Sequence, residues 1–88
     1  MIIEITLKEN EKETNIAVND KQCIQDCMRI LKENHVILRR YDNVAEIYST
    51  RKQEYIHPEQ SFSQAAVYNG DILYLYNDKG EHNDSTRD

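Results

Sequence analysis

The hydrophobic pattern near the start of the chain changes from a period of two residues, typical of a strand, to the spacing of a helix. This change constrains the fold more than any other feature. Apolar and polar residues alternate over residues 1–7 and again over residues 14–18, with the wholly polar stretch 8–12 between them. Alternation with β-branched residues is typical of half-buried strands. A polar connection this short joins the two strands as a β-hairpin.

A helix is predicted directly after the hairpin. Its apolar stripe has the i, i+3, i+4, i+7 spacing of one buried face and consists of Ile24, Cys27, Met28 and Leu31. We expect Asn19 or Asp20 to cap the N-terminus and Asn34 to end the helix, because these residue types suit such positions.

Short runs predict the remaining elements. These are a third strand over residues 45–50, a hairpin turn over 51–53 into a short strand over 54–57 stopped by Pro58, one helical turn after Ser61, and a last strand over 72–76. The resulting order predicts an α+β domain with a mixed sheet of four to five strands and one helix packed across it. The predicted core is Ile3, Ile5, Leu7, Ile16, Val18, Ile24, Cys27, Leu31, Ala45, Ile47, Leu73 and Leu75.

Size and composition favour one domain in the cytoplasm. The chain has 88 residues, and its last twelve contain no aliphatic or aromatic residue. We therefore expect a folded domain over residues 1–76 and a polar, disordered tail over residues 77–88. No apolar run approaches the roughly 20 residues of a membrane helix, and no secretory signal is visible. Two cysteines four residues apart are typical of reduced thiols rather than of a disulfide scaffold.

The charge distribution makes nucleic-acid binding an unfavoured alternative. The formal net charge is −5, whereas nucleic-acid binders usually carry a basic face. The segment 21–52 is nevertheless net basic and holds Arg29, Arg39, Arg40 and Arg51. Beside these arginines, Tyr41 could stack on an RNA base.

The end of the predicted domain resembles a known family. Residues 67–75 read Val-Tyr-Asn-Gly-Asp-Ile-Leu-Tyr-Leu, which is similar to the Asn-Gly-Asp ending found across ubiquitin-like domains. The opening residues 1–7 also resemble the start of ubiquitin. The resemblance implies the β-grasp, or ubiquitin-like, fold over residues 2–76. In that turn Gly70 suits a positive φ, and Asp71 can bond back to the turn amides.

Among bacterial proteins, the chain looks most like the small YukD/EsaB ubiquitin-like proteins. That resemblance implies an accessory or regulatory role in a type VII (ESX/WXG100-like) secretion system of Gram-positive bacteria. It also implies a protein partner, either a component of the secretion system or a second copy of the chain.

Conjugation, catalysis and cofactor binding are not expected. Ubiquitin-type modifiers and sulfur carriers need a terminal Gly-Gly, whereas this sequence ends Ser-Thr-Arg-Asp and contains no adjacent glycines. A ubiquitin-like carrier or modifier is therefore a disfavoured alternative to an interaction module. Cys23 and Cys27 lack further ligands at metal-binding spacing, and we expect Cys27 to fill core volume with Cys23 at its edge. No catalytic motif is present, so we expect no enzyme activity, metal or cofactor.

Tyrosines provide the candidate binding site. If Leu73, Leu75 and Ile47 point inward, the alternation of the strands directs Tyr48, Tyr74 and Tyr76 to the opposite face of the sheet. Tyrosine supplies a large, rigid contact area with a polar tip. We therefore predict that these three side chains bind a protein partner.

Overall fold

The fold was analysed in a computed structural model, which describes residues 1–76; the predicted tail lies outside the described residues. The elements are β1 (Ile2–Glu9), β2 (Lys12–Asn19), α1 (Ile24–Glu33), a 3₁₀ helix (Val44–Glu46), β3 (Ile47–Ser49), β4 (Glu54–Tyr55) and β5 (Ile72–Leu75). Within these residues, no helix is long and apolar enough to cross a lipid bilayer.

The five strands form one mixed sheet in the order β2-β1-β5-β3-β4. β1 and β2 pair antiparallel as the predicted hairpin, and Asn10 adopts a left-handed φ of 57° in the connecting turn. The two central strands, β1 and β5, are parallel, with Leu7 opposite Leu73. The first and last strands of the domain therefore pair with each other near the middle of the sheet.

Helix α1 buries Ile24, Cys27 and Met28. Its start differs from the prediction, because Cys23 is the N-cap residue and no side chain caps the helix. The amides of Ile24 and Gln25 instead donate to main-chain carbonyls of residues 58–60, at 2.9 and 2.8 Å. Main-chain acceptors thus replace the side-chain cap. The predicted C-terminal residue, Asn34, is confirmed as the C-cap.

The core lies between the sheet and α1. It contains most of the predicted residues, together with Met28, Ile37, Tyr41, Ile56, Phe62, Ala65 and Val67. Ile16 and Leu31 are only partly buried and pack against it. The loops 34–43 and 56–67, which show little hydrophobic periodicity, supply many of the additional side chains.

Ala45 was wrongly predicted to be buried. The chain over Val44–Glu46 forms a 3₁₀ turn before β3 begins, which exposes Ala45 and directs Glu46 inward, where it is 1% exposed. The Glu46 carboxylate accepts hydrogen bonds from the amides of Asp42 and Asn43 and from the Arg39 guanidinium, at 3.1–3.2 Å. These bonds offset the cost of burying the charge.

A second buried carboxylate, Glu9, holds the other half of the same loop. It accepts hydrogen bonds from the Leu38 amide at 2.9 Å and from the Tyr41 hydroxyl. Burial, followed by the hydrogen bond to Glu9, raises the pKa of Tyr41, so the phenol stays protonated and serves as the donor. The connection from α1 to β3 is therefore fixed by two carboxylates rather than by regular structure.

The turn before β5 has the predicted geometry. Gly70 has a φ of +88°, and the buried Asp71 carboxylate accepts a hydrogen bond from the Ile72 amide at 2.9 Å. The Ser49 hydroxyl donates to the same carboxylate at 3.3 Å and so ties the turn to β3.

The predicted helical turn after Ser61 is a pair of hydrogen-bonded turns, with Ala65 N–H donating to Ser61 C=O and Ala66 N–H to Ser63 C=O, both at 3.0 Å. The short helix of the fold is instead the 3₁₀ helix before β3.

Candidate functional site

The face of the sheet opposite α1 carries a cluster of tyrosines. Tyr48 on β3 lies opposite Tyr74 on β5 and, on its other side, opposite Tyr55 on β4. Tyr76 follows β5 on the same face as Tyr74, two residues further along, and its amide donates to the Glu46 carbonyl at 2.8 Å. We call Tyr48, Tyr55, Tyr74 and Tyr76 the tyrosine face.

The rings of the tyrosine face contact one another in a chain. The ring centroids of Tyr48 and Tyr55 are 5.1 Å apart in an edge-to-face arrangement, with an interplanar angle of 73°. Tyr55 lies 6.3 Å from Tyr76, and Tyr76 lies 6.2 Å from Tyr74. These separations are within the range at which aromatic pairs attract each other. The four side chains therefore form one continuous aromatic surface.

The tyrosine face is open to solvent, and its rings also shelter one another. Tyr55 is 45% and Tyr76 39% exposed, while Tyr48 and Tyr74 are half-buried. Partial burial, followed by the neighbouring phenols, raises the pKa of Tyr76. Its hydroxyl therefore remains a neutral donor and acceptor over the physiological pH range.

The structure thus brings together all three predicted site residues, Tyr48, Tyr74 and Tyr76. The prediction missed Tyr55, although residues 54–57 were expected to form a strand in a hairpin with the third strand. The signal was available in that hairpin, because the antiparallel partner of Tyr48 has to share its face.

One edge of the tyrosine face carries a lysine–glutamate ion pair. The Lys8 ammonium lies 5.2 Å from the centroid of the Tyr74 ring and 3.2 Å from the Glu13 carboxylate. The hydrogen bond to Glu13 is the main cause that raises the pKa of Lys8. A partner on this face therefore meets aromatic rings bordered by one lysine–glutamate pair.

The arginines considered for nucleic-acid binding all lie beside carboxylates. Each guanidinium is within 3.6 Å of one, in the pairs Arg29–Glu33, Arg39–Glu46, Arg40–Asp42 and Arg51–Asp71. Tyr41 was wrongly considered for base stacking, because it is 2% exposed and its hydroxyl is bound to Glu9. The basic segment therefore does not present a stacking platform.

The two cysteines have the positions expected of structural thiols. Cys27 is 5% exposed in the core, and Cys23 is half-buried with its sulfur 3.5 Å from the Pro58 carbonyl oxygen. Over residues 1–76, no group of three or more His, Cys, Asp and Glu side chains is placed to hold a metal ion.

We expect the two thiols to differ in reactivity. Burial raises the pKa of Cys27 to about 11, so at pH 8 it should react with iodoacetamide about a hundredfold more slowly than an ordinary thiol. Mass spectrometry of native protein should show one early modification at Cys23 and, in guanidinium chloride, rapid modification of both cysteines. Equal rates in the native protein would contradict the burial of Cys27.

No protein-family model matches the chain, and no curated protein matches it. Solved structures do resemble it. A protein designed on the basis of ubiquitin has a TM-score of 0.63 and 18% identity, covering 85% of this chain and 87% of that chain. The EccD5 ubiquitin-like domain from Mycobacterium xenopi has a TM-score of 0.57 and 14% identity, covering 86% and 93%. The UBL domain of Plasmodium falciparum Dsk2 has a TM-score of 0.58 and 19% identity, covering 86% and 100%.

These likenesses define the class of fold. The chain has the ubiquitin-like β-grasp fold, an α+β architecture with a mixed five-stranded sheet and one helix across it, as predicted. The finer resemblance to the YukD/EsaB proteins stays a prediction.

Proposed function

We propose that this chain is a non-conjugating, non-enzymatic ubiquitin-like interaction module that binds a protein partner through the tyrosine face. The observation that carries the proposal is the continuous cluster of four aromatic rings on the side of the sheet that α1 leaves uncovered. Buried aromatic anchors dominate the energetics of protein interfaces, and tyrosine is among the most enriched. An aromatic surface of this extent exceeds the scattered exposure usual for a small domain.

The proposed setting is the cytoplasmic side of a type VII secretion system, where the module acts as an accessory or regulatory component. Support comes from the resemblance of residues 2–76 to the YukD/EsaB proteins, although its distinctive motif, the Asn-Gly-Asp ending, is shared by many ubiquitin-like domains. The likeness to the EccD5 domain concerns the shared fold. Adjacent genes for a WXG100 protein and an FtsK-like ATPase would support this setting, and those two proteins are the first partners to test.

A binding experiment tests the tyrosine face. The triple variant Tyr48→Ser, Tyr74→Ser, Tyr76→Ser should bind the purified partner at least about a hundredfold more weakly, since single hot-spot side chains already contribute tenfold or more. Biolayer interferometry with the immobilised partner measures the dissociation constant, and circular dichroism checks that the variant is folded.

Tyr68→Ser is the matched control. Tyr68 is 54% exposed, yet it lies outside the cluster and packs on Arg51, with 4.4 Å between the guanidinium carbon and the ring centroid. It should bind like the unchanged chain. Full affinity of a folded triple variant would show that the partner uses another surface.

Two alternatives receive less support. Residues 1–88 contain no adjacent glycines and so do not supply the Gly-Gly that a carrier or modifier uses. The pairing of Arg29, Arg39, Arg40 and Arg51 with carboxylates opposes a nucleic-acid adaptor.

A further inference from the structure

The two edges of the sheet are protected very differently. At one edge, β4 is two residues long, which leaves little main chain for another strand to pair with. At the other edge, β2 has eight residues in continuous register with β1. Its central stretch, residues 15–18, contains no charge, proline or glycine. Proteins usually blunt a long edge with such features, because an open edge is a template for strand pairing.

Hydrogen bonds on β1 show which main-chain groups of β2 are free. The Glu4 amide donates to the Asn69 side chain and the Glu4 carbonyl accepts from Gly70, both on the β5 side. Main-chain groups alternate in direction along an antiparallel pair. Ala17, which lies opposite Glu4, therefore points its N–H and C=O away from the sheet, as do Asn15 and Glu13.

An apolar groove runs beside this edge. It has a volume of about 380 Å³ between β2 and α1, and its lining includes Ile16, Val18, Ile30 and Leu31. Ile30 is 41% exposed although it belongs to the helix that forms the core. A strand added to β2 would place alternate side chains over this groove, so main-chain pairing and apolar burial would occur together.

We propose that the occupant of this edge is a second copy of the chain, whose β2 pairs antiparallel with the first across a two-fold axis at Ile16. In this register Asn15 of each copy faces Ala17 of the other, and these residues exchange main-chain hydrogen bonds. The two Ile16 residues form the closer, non-hydrogen-bonded pair, with Cα atoms about 4.5 Å apart. Their side chains lie on the groove side of the sheet, so the two grooves face each other.

Charge selects this register among its neighbours. Pairing about Ile16 sets Lys12, the first residue of β2, opposite Asp20 of the second copy, which directly follows β2 and also binds the Met1 ammonium at 2.9 Å. It also sets Glu11 opposite Lys21 of the second copy. Within residues 11–21, pairing about Asn15 sets Lys12 opposite Val18 and gives no opposite-charge pair, and pairing about Ala17 gives a single one, Glu13 opposite Lys21. Opposite charges across a strand pair stabilise it. The segment 11–21 therefore has more opposite-charge pairs with a second copy in the Ile16 register than in either neighbouring one, and a two-fold axis makes the interface isologous.

Sedimentation velocity over micromolar to millimolar concentrations tests the proposal. The unchanged chain should shift from monomer to dimer, and Ala17→Pro should raise the dimer dissociation constant by about tenfold or more, because it removes a free edge N–H from each copy. Proline is tolerated there because the Ala17 N–H does not pair with β1. Ala17→Ser, which keeps the N–H, should dimerise within about twofold of the unchanged chain.

A charge exchange tests the register. Lys12→Asp alone should weaken the dimer, and combining it with Asp20→Lys should restore it.

Amide hydrogen exchange measures dimer formation at the β2 edge directly, because a change in the stability of the monomer would not produce the same pattern. Protection at Asn15 and Ala17 should rise with concentration, while Ile16, which pairs with Ile5 of β1, stays protected throughout.

Several outcomes would overturn the proposal. A chain that stays monomeric at every concentration would exclude a second copy as the occupant. The same conclusion would follow if the monomer binds a strand of another protein at this edge. A dimer that survives Ala17→Pro and is lost in the Tyr48→Ser, Tyr74→Ser, Tyr76→Ser variant would place self-association on the tyrosine face instead. Because the two surfaces use different residues, failure at the β2 edge leaves the proposed function standing.

Discussion

Replacement of Phe62 by alanine is expected to lower the free energy of unfolding by about 3–5 kcal/mol, the usual cost of removing a fully buried phenylalanine. Phe62 has no exposed surface. Its amide donates to the Gln22 carbonyl at 3.2 Å and its carbonyl accepts from Val67 at 2.9 Å, so the ring is held beside the start of α1. Small domains have a total stability of about 5–15 kcal/mol, and the variant should therefore be close to unfolding.

Urea denaturation followed by far-ultraviolet circular dichroism measures this loss. Leu38→Ala is a suitable control, because Leu38 is 72% exposed and its truncation should change stability by less than about 0.5 kcal/mol. A loss below about 1 kcal/mol in Phe62→Ala would mean that the loop carrying Phe62 packs differently from the structure described above.

Replacement of Glu46 by alanine is expected to cost about 2–3 kcal/mol, since it removes a buried acceptor of charge-assisted hydrogen bonds. The amides of Asp42 and Asn43 and the Arg39 guanidinium lose this carboxylate together. The Arg39 side chain is 35% exposed, so the cost should remain below that of a fully enclosed ion pair. Glu46→Gln, which keeps one acceptor oxygen, should be intermediate.

The effect of Glu46→Ala should also be local. Hydrogen exchange at the amides of Asp42 and Asn43 should accelerate more than at the β1–β5 pairs. Glu11→Ala is the matched control, because Glu11 is an exposed carboxylate in the hairpin turn and should change neither measurement. If the free energy of unfolding and the exchange rates of these amides are unchanged in Glu46→Ala, the buried carboxylate does not stabilise this loop.

Regular periodicity explains which parts of the fold were predictable. The β1–β2 hairpin and the buried face of α1 repeat their apolar residues at fixed intervals, so the sequence indicated both the elements and the inward faces. The turn at Gly70 was predictable for a different reason, since few residues other than glycine accept a positive φ without strain.

The buried loop residues lack such a signal. Tyr41 and Glu46 are fixed by contacts with distant or turn-forming groups rather than by a repeat, and Glu9 is a charged residue on the buried side of β1. For Glu46 a local clue existed, because Asn43-Val44-Ala45-Glu46 has the spacing of a capping box, which the structure forms. That clue favours a turn over the strand alternation through Ala45.

The direction of the site residues was predictable, but their contacts were not. The alternation of β3 and β5 directed Tyr48, Tyr74 and Tyr76 to one face, whereas their ring contacts depend on strand order, which the sequence of a single strand does not contain. Tyr55 completes the cluster only because β4 folds back beside β3.

The parallel pairing of β1 with β5 has a consequence for biosynthesis. Residues 6–9 pair with residues 72–75. The central pair of strands therefore joins one segment that is translated early with another that is translated last in this domain. The β1–β2 hairpin and α1 can form while the chain is still growing, but the main-chain groups of β1 that face β5, such as the Thr6 amide, have no partner until β5 has been synthesised. Closing so long a loop is entropically costly and slows folding. A nascent chain halted before residue 72 would therefore leave one edge of β1 unpaired, and unpaired strand edges make incompletely folded chains prone to aggregate.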